Sequence, residues 1–556
     1  MKRSACVLAV VYFALEIAVL SYGFPHEDAF ILFKYANNLA CGHGIVFYAG
    51  GPHAEGATDF LWMLSLACAR FLTIDVAIAA AALNAVGFFL AARIFLSRRP
   101  RREARARVVR WLGAILLFGS PAAVAGSRGF SAMLYSALAL VLLQRVLAAS
   151  PKKTRDVPLY AVVLGLLRPD GVILGAGLTL VAAFRARKKG ILRDLLIRAA
   201  VATVIGVTYF IWRWRYFGSL LPLPLYVKEH YQGWPPGVDV TLDWIASTLA
   251  PLTLVAVLAR VLLGRLRKRD ATRIRAFGIG LVPFLVHVAS FVPSVPSQNI
   301  MNRFEAPAAL AIFWLVIELF AAKRVRNPST ARVAVCAAAV IVAFFPMFRL
   351  ARFEYGDAFY GNYPNALSHD LGALTDSSTH IAATEAGRVL YFARGPTLDL
   401  VWLNTKETAL EPPSRKLLRE LDPDVVMIHH AGSILEDTIP DDGKDVIRID
   451  DSLLAHVPPV VWWLTGDDLP PYDRLKLQNV FVAATATEGF LNDERERYDV
   501  YAVRFTSRFF HFHLYAIKKD WPRKQALLDA IEKAHRESSA HSYLEFSPAL
   551  GAKCIE

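Results

Sequence analysis

Two adjacent carboxylates, Glu27 and Asp28, follow directly on the first apolar stretch of the chain, in Pro25-His26-Glu27-Asp28-Ala29-Phe30. At the mouth of a membrane helix such a pair is costly to desolvate and is repelled by anionic headgroups, so it calls for a cation, a proton or a substrate hydroxyl. The plainer reading is a solvated loop with ordinary charges. Three cations approach the same face: Arg168 in Arg168-Pro169-Asp170-Gly171, Lys228 at the end of the proline-rich run 216–228, and Arg303 in Met301-Asn302-Arg303-Phe304-Glu305. An arginine or aspartate near the bilayer centre costs roughly 2.5–3.5 kcal/mol, so Arg168 and Asp170 should face a polar cavity or pair with each other across the Pro-Gly turn. Converging cations suit a phosphate, which arginine holds bidentately and lysine attracts as a point charge. The pattern points to an anionic lipid headgroup beside a general base. Lys34, His43 and Glu55 share the outer loop with the acids and, with Tyr226 and Asp170, are candidates for lining a substrate pocket. His43 between two glycines serves equally as a turn residue, and a lone interfacial lysine such as Lys228 commonly snorkels.

These residues need a membrane scaffold to bring them together. The chain has 556 residues, of which 55% are hydrophobic, too apolar a composition for a soluble protein of this length. The net charge of +14 resides in short clusters between apolar spans, as expected of cytoplasmic loops, and this excludes nucleic acid as the partner. Five cysteines are scattered without C-x-x-C spacing, so neither a zinc site nor a disulfide framework is expected. Residues 5–24 read as a retained first helix with its N-terminus in the cytoplasm. Basic clusters at 98–110, 152–155, 185–193, 265–275 and 323–332 then set the parity of the crossings. Residues 60–72 are short for a span and read as an external interfacial helix, with 75–96 as the second crossing. Hairpins follow at 111–125 with 130–149, 158–167 with 171–184, 195–217 with 244–263, and 277–292 with 304–322, before a last crossing at 333–348. The total is about eleven spans by the length criterion, an odd number that puts the remainder outside the cytoplasmic membrane.

The expected architecture is therefore a polytopic α-helical membrane domain over 1–350 and an extracytoplasmic α/β domain over 351–556. In the second, short β-rich runs such as Val425-Val426-Met427-Ile428 and Val500-Tyr501-Ala502-Val503 alternate with amphipathic stretches such as 523–536. Trp62, Trp212 and Trp214 suit anchors at the membrane boundary. His511 and His513 alternate along a β-like run and suit packing better than metal ligation. Trp402, Trp462 and Trp463 suit either core packing or contact with a glycan.

Taken together, these pieces resemble the polyprenyl-phosphate-sugar-dependent glycosyltransferases of the GT-C fold, most closely the terminal β-(1→2)-arabinofuranosyltransferase family of the mycobacterial cell wall. The likeness is carried by Glu27-Asp28-Ala29-Phe30 through Asn37-Asn38-Leu39, Gly42-His43-Gly44-Ile45-Val46-Phe47 and Glu55-Gly56-Ala57-Thr58-Asp59-Phe60-Leu61-Trp62. Arg168-Pro169-Asp170-Gly171, the Gly-x-Leu-Leu-Pro loop ending at Lys228, Arg303-Phe304 with Pro307, Ala386-Gly387 to Tyr391, and Leu398-Asp399-Leu400 extend it. The chain departs from the family in having Glu27-Asp28 where Asp-Asp is common and Ser131-Ala132 where a Glu-Thr pair is common.

The resemblance implies transfer of a sugar, D-arabinofuranose in that family, from a decaprenyl- or polyprenyl-phosphate donor to a cell-envelope glycan acceptor. Asp28 is then the expected general base, Glu27 its orienting neighbour, and Arg168, Lys228 and Arg303 the donor-phosphate cations. No cofactor is firmly implied; Mg²⁺ or Ca²⁺ at Glu27 and Asp28 is chemically reasonable beside a phosphate. The rival expectations are a GT-C hexosyl- or aminoarabinosyl-transferase acting on a lipid or protein, a polysaccharide-binding scaffold, and a transporter. The transporter is disfavoured because no internal repeat is visible.

Overall fold

A computed structural model describes residues 2–97, 104–148, 151–186, 191–229, 236–262, 268–293, 299–321, 351–352, 363–400, 403–411, 413–430, 444–449, 486–487, 489–504, 512–537 and 542–545. The first helix, α1 (Lys2–Tyr22), buries Ala5, Ala9, Tyr12, Glu16 and Val19, a stripe at alternating spacings of four and three, and leaves Val7, Val10, Val11 and Leu15 on its outer face. The stripe packs on α4 (Val76–Leu96), where Tyr12 stacks on Phe88 with ring centroids 4.6 Å apart. Gly87 of α4 lets α7 (Ala132–Leu147) approach, since a Cβ there would lie 2.6 Å from the Leu134 Cα.

Among the described residues, three helices are long and apolar enough to cross a membrane by themselves: α1 and α4, of 21 residues each, and α11 (Leu192–Phe217), of 26. The expected span at 111–125 is broken. The helix α5 (Ala104–Leu116) leads through a 3₁₀ turn into α6 (Pro121–Ser127), bent by 43°. Ser120 caps the new helix by accepting from the Ala123 N–H, and Pro121 occupies its first turn, where a missing N–H costs nothing. Shorter elements complete the bundle: α8 (Pro151–Arg155), α9 (Val157–Leu167), α10 (Gly171–Ala186), α12 (Leu223–Glu229), α13 (Pro236–Trp244), α14 (Ala250–Leu262), α15 (Lys268–Ala289) and α16 (Ala306–Ala321). The crossing expected at 333–348 and the junction near residue 350 lie outside the described residues.

The loop after α1 is more ordered than its sequence suggests. It forms α2 (Ala29–Ala40), whose apolar residues Phe30, Ile31, Phe33 and Ala36 are buried, before the expected interfacial helix α3 (Phe60–Phe71). One expectation is overturned here. Cys41, at the end of α2, is disulfide-bonded, whereas Cys6 and Cys68 are free.

Among the described residues, the C-terminal domain holds a six-stranded mixed sheet in the order β2-β1-β3-β6-β5-β4, built from β1 (Ile381–Ala383), β2 (Thr397–Asp399), β3 (Val425–His430), β4 (Val446–Ile449), β5 (Tyr498–Arg504) and β6 (Phe512–Lys518). β1 pairs in parallel with β2 and β3, and the remaining pairs are antiparallel. The alternation Val425/Met427 against Val426/Ile428 sends successive side chains to opposite faces of the sheet, each of which is covered. The face with Val425, Met427, Tyr515 and Ile517 is continuous with the apolar core of the membrane bundle. His513 is buried on β6 beside Tyr363, and its ring meets the Tyr363 hydroxyl, so it serves packing; His511, Trp402, Trp462 and Trp463 lie outside the described residues.

Candidate active site

The C-terminal domain sits on the loop that carries the acids. The Tyr543 hydroxyl donates to Asp75 at the start of α4 at 2.9 Å, and the Tyr543 N–H donates to the Gly23 carbonyl at 3.1 Å. Lys34 of α2 is buried, donates to the main-chain carbonyls of Leu390 and Ala393 (3.1 Å to the latter), and lies 4.5 Å from the Phe47 ring centroid. Burial pushes its ammonium pKa down to about 7. Lys34 is thus a tether between the two halves and not a pocket residue. The Leu398-Asp399-Leu400 motif likewise joins the halves, since Asp399 accepts from the N–H groups of Leu403 and Asn404 and so brings Asn404 against Gly56.

Asp28 stands at the N-terminus of α2, 7% exposed, and its carboxylate lies 3.8 Å from Arg303 Nη2. Arg303 is presented by a turn in which Met301 and Asn302 both take positive φ, at 55° and 51°. Asn tolerates that conformation; Met adopts it at a cost of roughly 1–2 kcal/mol, which the surrounding turn must over-determine. Asn299 does so, accepting from the Phe304 N–H at 3.1 Å and donating to Glu305 Oε2 at 2.7 Å. The guanidinium then lies 3.8 Å over the Phe130 ring and 5.3 Å from the centroid of Phe304.

Glu27 is half-buried and accepts from the Gly387 N–H of the C-terminal domain at 2.6 Å. A Cβ at position 387 would collide with the same carboxylate oxygen, so only glycine allows this approach. Burial pushes the Glu27 pKa well above the usual carboxylate range, repulsion from Asp28 and Glu385 adds to the shift, and Arg388 opposes it. The two neighbouring acids therefore have unlike surroundings, one against an arginine and the other under an amide.

Near Phe304, whose ring centroid is 5.0 Å from the Arg168 guanidinium carbon, a second polar network is buried in the bundle. Arg168 bonds Asp170 through Nε at 3.0 Å and lies 3.9 Å from Asp59, which accepts from Ser131 Oγ at 2.6 Å. Asp170 also meets His287 Nε2 at 2.8 Å and accepts from the Tyr135 hydroxyl at 3.3 Å. The expected pairing of Arg168 with Asp170 is realised, but inside a larger constellation. Two carboxylates, Asp170 and Asp59, offset the charge of Arg168, and Arg303 meets Asp28 across an ion-pair distance.

The remaining candidates separate from this centre. His43 is exposed on a turn whose flanking glycines have φ of 83° and 87°. Glu55 is buried and bonded through both oxygens to Arg213 of α11, with Arg213 Nε at 2.7 Å, so it anchors the loop. The Tyr226 hydroxyl accepts from the Leu221 N–H at 3.2 Å and closes the loop after Gly218. Lys228 lies on α12, its side chain outside the described residues. Among the described residues, no group of three His, Cys, Asp or Glu side chains is placed to hold a metal. Glu27 and Asp28 supply two carboxylates, and a divalent cation there would draw its other oxygens from water or a substrate phosphate.

Sequence reasoning missed His287, Tyr135, Asp59 and Arg213. A histidine or arginine inside an apolar span was the available signal for two of them. Tyr135 and Asp59 gain meaning only from contacts distant in sequence.

No protein-family model and no curated protein matches the chain. Among solved structures, ArnT from Cupriavidus metallidurans in the apo state aligns with a TM-score of 0.52 and 13% identity over 80% of this chain and 95% of that one. The same protein bound to undecaprenyl phosphate gives 0.52 and 13% over 78% and 94%. The arabinofuranosyltransferase AftD from Mycobacteria aligns at 0.48 and 14% over 81% of this chain and 37% of its own. The similarity to ArnT bears out the expected fold, a GT-C membrane bundle with an α/β domain at its C-terminal end.

Proposed function

We propose that this chain is a membrane glycosyltransferase that moves a sugar from a polyprenyl-phosphate donor to a hydroxyl of a cell-envelope glycan on the extracytoplasmic side. The observation that carries the reading is the Asp28–Arg303 pair at 3.8 Å, set among Phe130, Phe304 and the Arg168 network in a fold shared with ArnT. That undecaprenyl phosphate binds ArnT supports a polyprenyl phosphate as the lipid here.

In the proposed step the acceptor oxygen attacks the anomeric carbon while the bond from that carbon to the phosphate oxygen breaks. Asp28 takes the hydroxyl proton, and the polyprenyl phosphate leaves with the bonding electrons. Arg303 pairs with Asp28 before the donor binds and transfers its charge to the donor phosphate afterwards, which releases Asp28 to act as base and stabilises the leaving group. Glu27, whose acidity burial weakens, orients Asp28. Lys228 is the second phosphate cation, and Arg168 positions Phe304 between itself and Arg303. D-arabinofuranose is the donor sugar favoured by the sequence resemblance; a divalent cation at the two acids is compatible with the step and is not required by it.

The test is incubation of the purified protein with polyprenyl-phosphate sugars, including arabinofuranosyl, aminoarabinosyl and hexosyl forms, and a glycan acceptor. Appearance of the extended glycan together with free polyprenyl phosphate is expected, and its dependence on the sugar fixes the donor. Donor binding without turnover across the whole panel would overturn the reading in favour of a scaffold.

A further inference from the structure

The helices that carry Arg168 and Arg213 at one end hold a second charged cluster at the other. Between the first turns of α9 and α11 lies a cavity of about 370 Å³, lined by Leu159, Asp194, Ile197, Arg198 and Val201. Arg198 is roughly 20 Å from Arg213 along α11 at 1.5 Å per residue, so this cavity is remote from the acids. Arg198 lies 3.2 Å from Asp156. Arg155 lies 3.7 Å from Asp156 and 3.6 Å from Asp194. Arg145, 3.9 Å from Asp156, donates to the Tyr160 hydroxyl at 2.7 Å with its guanidinium over the Tyr160 ring.

Among the described residues, three guanidinium groups therefore share two carboxylates, leaving one positive charge. The Nε atoms of Arg155 and Arg198 are buried with no hydrogen-bond partner among the described residues. In sequence, the connecting segments 150–156 and 185–198 add Lys152, Lys153, Arg185 and Arg193 among other cations and no acid besides Asp156 and Asp194. The positive-inside rule assigns this end of the bundle to the cytoplasmic leaflet. The wall beside the cations is apolar and continues outward along α11, where Leu196, Ile197, Val201 and Val204 are exposed on the lipid-facing side. A site with an uncompensated cation at headgroup depth and an apolar wall running toward the bilayer interior matches one occupant, a lipid with an anionic head.

We propose that this cavity binds an anionic phospholipid of the cytoplasmic leaflet, its phosphate on Arg155 and Arg198 and an acyl chain along Ile197 and Val201. The proposal rests on the membrane fold and its orientation, and it stands or falls separately from the transfer reaction.

The experiment is native mass spectrometry of the full-length protein in detergent, titrated with phosphatidylglycerol or with phosphatidylcholine of the same acyl chains. Phosphatidylglycerol should be retained preferentially. The double variant Arg155→Gln/Arg198→Gln should bind it about 25-fold more weakly, at about fivefold per cation removed, and Asp194→Asn should bind it about fivefold more tightly. Should the double variant fail to fold, Asp194→Asn decides, because it removes no cation. Equal retention of the two lipids, an unchanged affinity in Asp194→Asn, or a folded double variant with wild-type affinity overturns the proposal. Saturation of the site by inorganic phosphate at the same concentration as the lipid overturns the assignment to a phospholipid.

Discussion

Two acid–arginine pairs hang from the same loop, and they are built differently. Glu55 meets Arg213 through both carboxylate oxygens, and Arg213 also donates to the Leu220 carbonyl at 2.8 Å. Asp28 meets Arg303 at 3.8 Å, too long for a hydrogen bond, with the guanidinium resting on an aromatic face. A buried pair whose hydrogen bonds are made holds a loop in place; exchanging it for a ligand would strand charge in a low dielectric. Under the proposed function the longer pair is the one that exchanges its carboxylate for a donor phosphate. Composition alone does not distinguish the two pairs. The distinction lies in hydrogen-bond geometry.

The largest effect should come from Asp28→Asn, which keeps shape and removes the base. Turnover should fall by roughly 10²- to 10⁴-fold with donor affinity retained, measured as glycan extended per minute at saturating donor. Near wild-type turnover would remove Asp28 from the chemistry and erase the contrast with Glu55. Next comes Arg213→Met, which abandons Glu55 in its buried site and should cost roughly 3–5 kcal/mol of stability, read from thermal melting in detergent. The surviving folded fraction should keep its turnover per molecule; a loss of turnover with unchanged melting would make this pair catalytic.

Arg303→Gln should weaken donor binding by roughly tenfold or more, as befits a charge-assisted contact of about 1.5–3 kcal/mol, with little change in melting. Unaltered affinity for a polyprenyl-phosphate sugar would transfer the phosphate role to Lys228. The smallest expected effect is at Lys34→Met, which leaves two buried carbonyls without their donor at a cost of about 1–3 kcal/mol. Its pH signature is specific. The folded protein releases the Lys34 proton near pH 7, whereas the ordinary value is 10.5. The unfolded state therefore binds more protons across that window, and the contribution of Lys34 to stability rises with pH between the two values. The difference in melting temperature between wild type and Lys34→Met should widen from pH 7 to pH 10 in favour of wild type; a constant difference would show that Lys34 does not change charge on unfolding.

Long apolar helices such as α1, α4 and α11 were legible because hydrophobic length acts over twenty residues at a time. The strands at Val425 and Val500 were legible because alternation is local. The acids at 27 and 28 and the cation at 303 were singled out by charge at a membrane boundary, and the fold brings them together. Lys34 and Glu55 were singled out by the same rule, yet their charge is consumed by Leu390, Ala393 and Arg213. A cost rule identifies which groups need partners; it does not say whether the partner is protein or substrate. The order in α2 was missed for a related reason, since its apolar face is buried against residues of the C-terminal domain such as Tyr391 and Tyr543. The broken span at Ser120-Pro121 was announced by a cap residue followed by proline, a signal that length counting overrides.

The amide of Gly387 resting on Glu27 makes the membrane half an incomplete piece of machinery. A chimera that grafts another C-terminal domain onto these helices must present a bare main-chain N–H at that point, or the acid pair loses the surface that shapes it. A working exchange of domains should therefore carry the first loop and its cover together, although more than three hundred residues lie between them in the chain.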